Sequence, residues 1–536
     1  MKLLPLQAAL AAALLSVAAG TWAATPVSKP LVVCTEASPE GFDIVQYTAA
    51  TTADASAETV FNRLVDFKPG TTDIQPGLAE RWDISADGLT YTFHLRRGVK
   101  FQSTEYFTPS RDFNADDVLW SFQRQFDPQH PWHAKTSVGF PYFEAMGFKQ
   151  LLGRIDKLDD ATVRFTLTRP EAPFLRDMAM GFTSVYSAEY AEQLLKAGKT
   201  ADLNSKPIGT GPFILTRYNK DAQVRYRANP DYYKGKPPSD VLVFAITTDS
   251  NVRLQKLKAG ECQVALYPKP DDISSIQADP NLRVEAMEAL MTSYVAMNTT
   301  HPYLSDVRVR QAINMAFDKQ AYLKAMFGEG RATPGINPYP PTLLGFNSAI
   351  RDLPHDPAAA RDLLKQAGVP EGQKFSLFIR NGGGVTNPNP LLGAQMLQAD
   401  LAKVGIKLDI RVLEWGELLK RAKRGEHDMV FAGWAGDNGD PDNFLVPNLS
   451  CDATVSGENY ARWCNKAFNE LITEARAKTD PAERAALYEQ AQQVFHEQQP
   501  WISLAHPKLF TAVRTNVEGY HISPLTNNNF ATTRAK

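Results

Sequence analysis

The sequence predicts an α/β protein with at least two lobes, and three observations carry that reading. The chain has 536 residues, too many for one hydrophobic core. Its first third is rich in alternating strands punctuated by hairpin turns. From about residue 290 the rhythm changes to strand–helix–strand with short links, the mark of a largely parallel sheet with crossover helices.

Taken in order, the chain opens on "MKLLPLQAALAAALLSVAAGTWAATP". A lysine, an Ala/Leu run and small residues at Ala23 and Ala24 read as an export signal, residues 1–24, cleaved near one of those alanines. Pro5 and Gln7 interrupt the run, which is short for a membrane span. Next, "RWDISADGLTYTFHLRRGVKF" gives a strand ending at Ile84, a turn at 86–88, and a second strand. In that second strand Tyr91, Phe93 and Leu95 share one face. "FNADDVLWSFQRQF" opens a helix with Asn114 as N-cap, "DDATVRFTLTRP" repeats the strand pattern and "SAEYAEQLLKAG" the helix pattern.

In the second half, "KFSLFIR", "IKLDIRVL" and "HDMVFAGW" read as strands separated by the helices "LLGAQMLQADLAKVG" and "EWGELLKRAKRGE". A helix starting at Pro481 and a strand at "WISLAHPKLFTAV" close the pattern. Ligands of such sheets bind beyond the carboxyl ends of the strands. "NGGGVTNPNP" (381–390) and "GWAGDNGDPDNF" (433–444) both end strands and are expected at the same rim.

Charge narrows the partners. With 57 basic and 59 acidic side chains and no basic tract of five, nothing marks a nucleic-acid or anionic-membrane surface. The four cysteines of an exported chain suggest disulfides, and four permit three pairings. The most economical closes the small loop Cys451–Cys464 and leaves Cys34 with Cys262. A zinc site is the rival reading, but no C-x-x-C spacing supports it.

The 433–444 loop concentrates three carboxylates and three glycines. As a calcium loop it fails: the position needing glycine is Asp442, and the position needing glutamate is Asn448. G-x-S-x-G, H-E-x-x-H and a Walker loop are absent from the sequence, and the histidines, His94 and His506 among them, are scattered. Binding remains. Asp437 beside Gly436 and Gly439 could face a ligand cation, whereas Asp440 and Asp442 read more simply as turn formers.

"GLAERWDISADGLTYTFHLRRGVKF", "FNADDVLWSFQR", "PIGTGPFILTRY", "VRVRQAINMAFDK" and "GWAGDNGDPDNF" together resemble the family 5 extracellular solute-binding proteins, across nearly the whole mature chain. Within that family the likeness is to a dipeptide-binding member of a peptide ABC importer. The resemblance implies a two-lobed periplasmic binding protein (class II type, cluster C). One lobe is split into two subdomains, and two crossing segments join the lobes near 288–298 and 501–510. The expected division is 25–60, 205–290 and 510–536 for the core of lobe I, 61–204 for its extra subdomain, and 291–509 for lobe II. The implied disulfides are the two pairs above.

The resemblance also makes Asp437 the anchor for a ligand's α-ammonium, with Trp434, Ala435, Gly436, Thr51 and Thr52 lining the cleft. It departs at Gly384, which stands where the relative has the arginine that grips a peptide's carboxylate; Arg380 is the nearby cation that could substitute. The expected protein is a monomeric, non-enzymatic periplasmic carrier, without metal or cofactor and without membrane insertion. It passes a di- or oligopeptide to an inner-membrane ABC permease. The alternatives are a modified peptide, haem or a metal chelate on the same scaffold, or a secreted hydrolase or periplasmic chaperone.

Overall fold

The alternation at "LTYTFHLR" becomes the strand Thr90–Leu95, with Tyr91, Phe93 and Leu95 buried. It is an inner strand of a four-stranded antiparallel sheet, flanked by Ala79–Ile84 and Thr162–Leu167, with Leu152–Asp159 at the far edge. Helix Ala115–Phe126 packs on this sheet, and the Phe122 and Phe165 rings lie 4.9 Å apart. Its start is capped as expected: the Asn114 side chain accepts from Asp116 N at 2.9 Å, and Asp117 accepts from Asn114 N at 3.0 Å. The computed structural model describes residues 30–455 and 458–536, so the export signal read at residues 1–24 lies outside the described residues.

A second, larger sheet spans the molecule. Its strands run in the order Ile406–Leu413, Gln373–Arg380, Met429–Ala435, Met291–Met297, Trp501–Arg514, Val264–Leu266, Leu31–Thr35, Val241–Ile246, Gln223–Ala228, Phe213–Asn219. The expectation of a largely parallel sheet needs correction. Parallel pairing is confined to two groups: the three strands of 373–435, and Leu31–Thr35 with its two neighbours. The joins around the chain-crossing strands are antiparallel, because those strands leave one half and return to it.

Two segments cross between the halves. Trp501–Arg514 pairs through its first part with Met291–Met297 and Ala332–Pro334, and through its second with Leu282–Glu288 and Val264–Leu266. The partner strands Leu282–Glu288 and Met291–Met297 are joined by Ala289 and Leu290 alone and form the second crossing. On either side the apolar residues gather separately. One cluster holds Leu31, Phe61, Phe93, Phe165, Phe244 and Phe530; others hold Phe375, Leu401 and Phe431, and Phe378, Phe444 and Trp501. Apolar clusters on either side, joined by two crossing segments, make a two-lobed molecule. Each lobe carries one disulfide, Cys34–Cys262 in the first and Cys451–Cys464 in the second, the economical pairing.

Candidate ligand-binding site

Strands Gln373–Arg380 and Met429–Ala435 are parallel, so their carboxyl ends point to the same rim, as the sequence suggested. The loop after Gln373–Arg380 is tied to the neighbouring strands: Asn387 Nδ2 donates to Ala432 O at 2.9 Å, and Asn387 Oδ1 accepts from Ser293. At this rim the second lobe meets the first. Val385 and Ala435 pack against the first lobe's apolar cluster.

Asp437 stands at this seam. Its backbone is held by Asn443, whose Oδ1 accepts both Asp437 N at 3.0 Å and Trp434 Nε1 at 3.1 Å. Its carboxylate interacts with the Tyr142 hydroxyl of the first lobe and has no cationic partner among the described residues. The side chain keeps part of its surface accessible, yet protein surrounds it closely enough that lost hydration pushes its pKa up to about 7. An accessible carboxylate in dehydrated surroundings without a counter-ion is a receptor for a cation.

The neighbouring glycines serve packing more than ligand approach. A Cβ on Gly436 would lie 2.6 Å from the Phe444 ring, and one on Gly439, which has φ +74°, 2.5 Å from Thr72 Cβ. Nor are the other two acids mere turn formers. Asp440 is buried and takes a bidentate pair from Arg484 at 2.8 and 2.9 Å, and Asp442 is buried at the start of helix Asp442–Leu449.

Of the remaining expected residues, Trp434 and Ala435 end the strand that leads to Asp437 and are half-buried. Thr52 is fully buried, and its hydroxyl accepts the Glu40 N–H at 3.0 Å, a role in supporting the first lobe; Thr51 beside it is half-buried. Arg380 closes its strand half-buried. Its guanidinium carbon lies 4.8 Å from the Trp415 ring centre, its Nε has no partner, and no carboxylate among the described residues forms an ion pair with it. A Cβ on Gly384 would sit 2.7 Å from its Nη1. His506 is buried against Met291 O at 3.1 Å and His94 contacts Asp83, so neither stands at the seam as a free base.

The family profile described as bacterial extracellular solute-binding proteins, family 5 Middle, matches residues 73–456. This chain is a family 5 extracellular solute-binding protein. Di/tripeptide-binding protein 4 of Pseudomonas aeruginosa (strain UCBPP-PA14) is 67% identical to it over 509 residues, 95% of each chain. Heme-binding protein A of Haemophilus influenzae (strain ATCC 51907 / DSM 11121 / KW20 / Rd) is 45% identical over 506 residues, 94% of this chain and 92% of its own. The crystal structure of a dipeptide binding protein from Pseudoalteromonas sp. SM9913 in complex with Met-Leu superposes with a TM-score of 0.89 at 37% identity, covering 95% of this chain and all of that one.

Sequence reasoning missed the first-lobe side of this binding protein's seam. Tyr142, Glu171 and Asp177 lie on short helices and turns within an aromatic-rich stretch that has no periodicity to single them out. Their roles arise from contacts with residues roughly 300 positions away, which no local pattern encodes.

Proposed function

We propose that this solute-binding protein captures small peptides by their free amine in the seam between its lobes. It then hands them to an inner-membrane ABC permease from the periplasmic side. The observation that carries the reading is Asp437, a dehydrated carboxylate at the rim of the second lobe that interacts with Tyr142 of the opposite lobe. An ammonium placed there satisfies the carboxylate and touches both lobes, so it favours closure through contacts that the open form lacks. The peptide lies extended, its amides paired with lobe backbone, and Arg380 receives the carboxylate in place of the arginine missing at Gly384. The relative named for di- and tripeptides, matched along nearly its whole length, supports this ligand class.

Calorimetric titration with trialanine and with N-acetyl-trialanine tests it. The wild type is expected to bind the free amine and to bind the acetylated peptide far more weakly. Asp437→Asn is expected to bring the two together. Equal affinity for both peptides in the wild type would overturn the anchor. The 45% identical haem-binding relative makes haem the other ligand to titrate, and a Soret shift unaffected by Asp437→Asn would favour it.

A further inference from the structure

We propose that the seam between the lobes is a proton-operated latch: Asp177 of the first lobe and Asp442 of the second hold one proton between them when the lobes meet, and its loss drives them apart. Asn438 is the bridge. Its Nδ2 donates to Asp177 Oδ1 at 2.7 Å and to Asp442 Oδ1 at 3.3 Å. The amide cannot turn over without loss, because its Oδ1 accepts Asp440 N at 2.9 Å. One NH₂ group therefore faces two carboxylates of like charge, and their other oxygens, Asp177 Oδ2 and Asp442 Oδ2, are buried without any hydrogen-bond partner.

The cations around the pair are shared with other acceptors: the Arg476 charge offsets part of the rise at both carboxyls, but its shorter contact is to Glu171. Arg476 lies 2.6 Å from Glu171 and 3.7 Å from Asp442. Arg169 also turns to Glu171, at 3.4 Å. Arg484 is held by Asp440, which Tyr488 also contacts, and Arg176 donates to Thr72 O at 2.6 Å. A metal ion is not the natural relief, since the described residues offer no group of three His, Cys, Asp or Glu suited to hold one. A proton is. Two buried carboxylates sharing one amide donor cannot both stay ionised without a large electrostatic penalty. Burial comes first among the forces raising both carboxyls. The charge of Asp442 adds to it at Asp177, and that of Asp440 at Asp442.

Opening removes Asp442 and Asn438 from Asp177 and rehydrates both acids, so closure takes up a proton and weakens as pH rises. The inference rests on the closing of two lobes, not on the identity of the ligand. The test therefore uses ligand-free protein. Asp437→Asn serves as the background, because Asp437 is the other carboxyl that burial raises at the seam.

Small-angle scattering of that variant from pH 5 to pH 9 is expected to show a radius of gyration that grows as pH rises. Adding Asp177→Asn, whose amide can donate to Asp442 as the protonated acid would, is expected to keep the molecule compact throughout. Asp442→Asn provides the second variant and is expected to do the same. A radius independent of pH in the Asp437→Asn background, or the same expansion in both double variants, would sink the latch. A compact form at pH 8 that requires added calcium and is lost with Asp442→Asn would replace the proton by a metal.

Discussion

Arg380 occupies the space that a side chain at Gly384 would need: its Nη1 lies 2.7 Å from where the Cβ would be. The family resemblance places a ligand-gripping arginine at the position of Gly384. Here the position is empty of side chain, and the Arg380 guanidinium, which forms no ion pair among the described residues, stands beside it, supported by the Trp415 ring. Arg380 thus leaves one positive group at this rim.

Arg380→Ala is therefore expected to weaken binding of trialanine by about 2–5 kcal/mol, as truncation of one partner in an enclosed charge pair does. Binding of the C-terminally amidated peptide should change far less. Calorimetry with the two peptides separates a role toward the ligand carboxylate from general damage. Gly384→Ala, which pushes Arg380 aside, should show the same selective loss in milder form.

Asp437 sets a pH dependence whose sign can be worked out. In the ligand-free fold its pKa is pushed up from 3.8 to about 7 by burial, so it is protonated below pH 7 and ionised above. An ammonium needs the ionised form, so amine affinity should fall by about tenfold per unit below pH 7, or about 100-fold by pH 5. The ratio of affinities for free and N-acetylated peptide isolates this effect, because any pH dependence of lobe closure cancels in it. In the ligand-free protein the same raised pKa stabilises the fold at low pH, and that contribution is lost as pH rises from about 4 to 7.

Asp440 and Arg484 form a buried bidentate pair in the second lobe, and Tyr488 joins it at 3.0 Å from Arg484 and 3.3 Å from Asp440. Arg484→Met leaves Asp440 enclosed without its bidentate partner, while Arg176, the other cation acting on it, donates to Thr72 O. The expected loss is about 3–5 kcal/mol of stability, read by chemical denaturation. Replacing both partners by apolar residues should recover much of that loss.

Gly436→Ala directs a methyl at the Phe444 ring and at Leu290 Cβ, which would be 2.6 and 3.3 Å away. Overpacking of this kind costs about 1–3 kcal/mol. The strand end carrying Asp437 must shift to relieve it, so thermal stability and trialanine affinity are expected to drop together.

Much of the architecture was legible from local pattern, for a plain reason. Period-two alternation placed the strand Thr90–Leu95, and Asn114 and Pro481 marked helix starts, because caps and sheet faces are decided within a few residues. The parallel order of Gln373–Arg380 and Met429–Ala435 followed from the helix–strand–helix alternation between them, and it put the loops carrying Gly384 and Asp437 at one rim.

What the sequence determined by itself was thus the strand and helix content, the rim with Asp437 on it, and, through the signature motifs, the family. Tertiary structure alone decided the rest. It paired Asp440 with Arg484, set Tyr142 against Asp437, turned the crossing strands antiparallel and brought Asp177 to Asn438 across 261 positions of sequence. Charge pairing depends on which groups are left without water together, and that is known only when two separately folded cores have closed on one another.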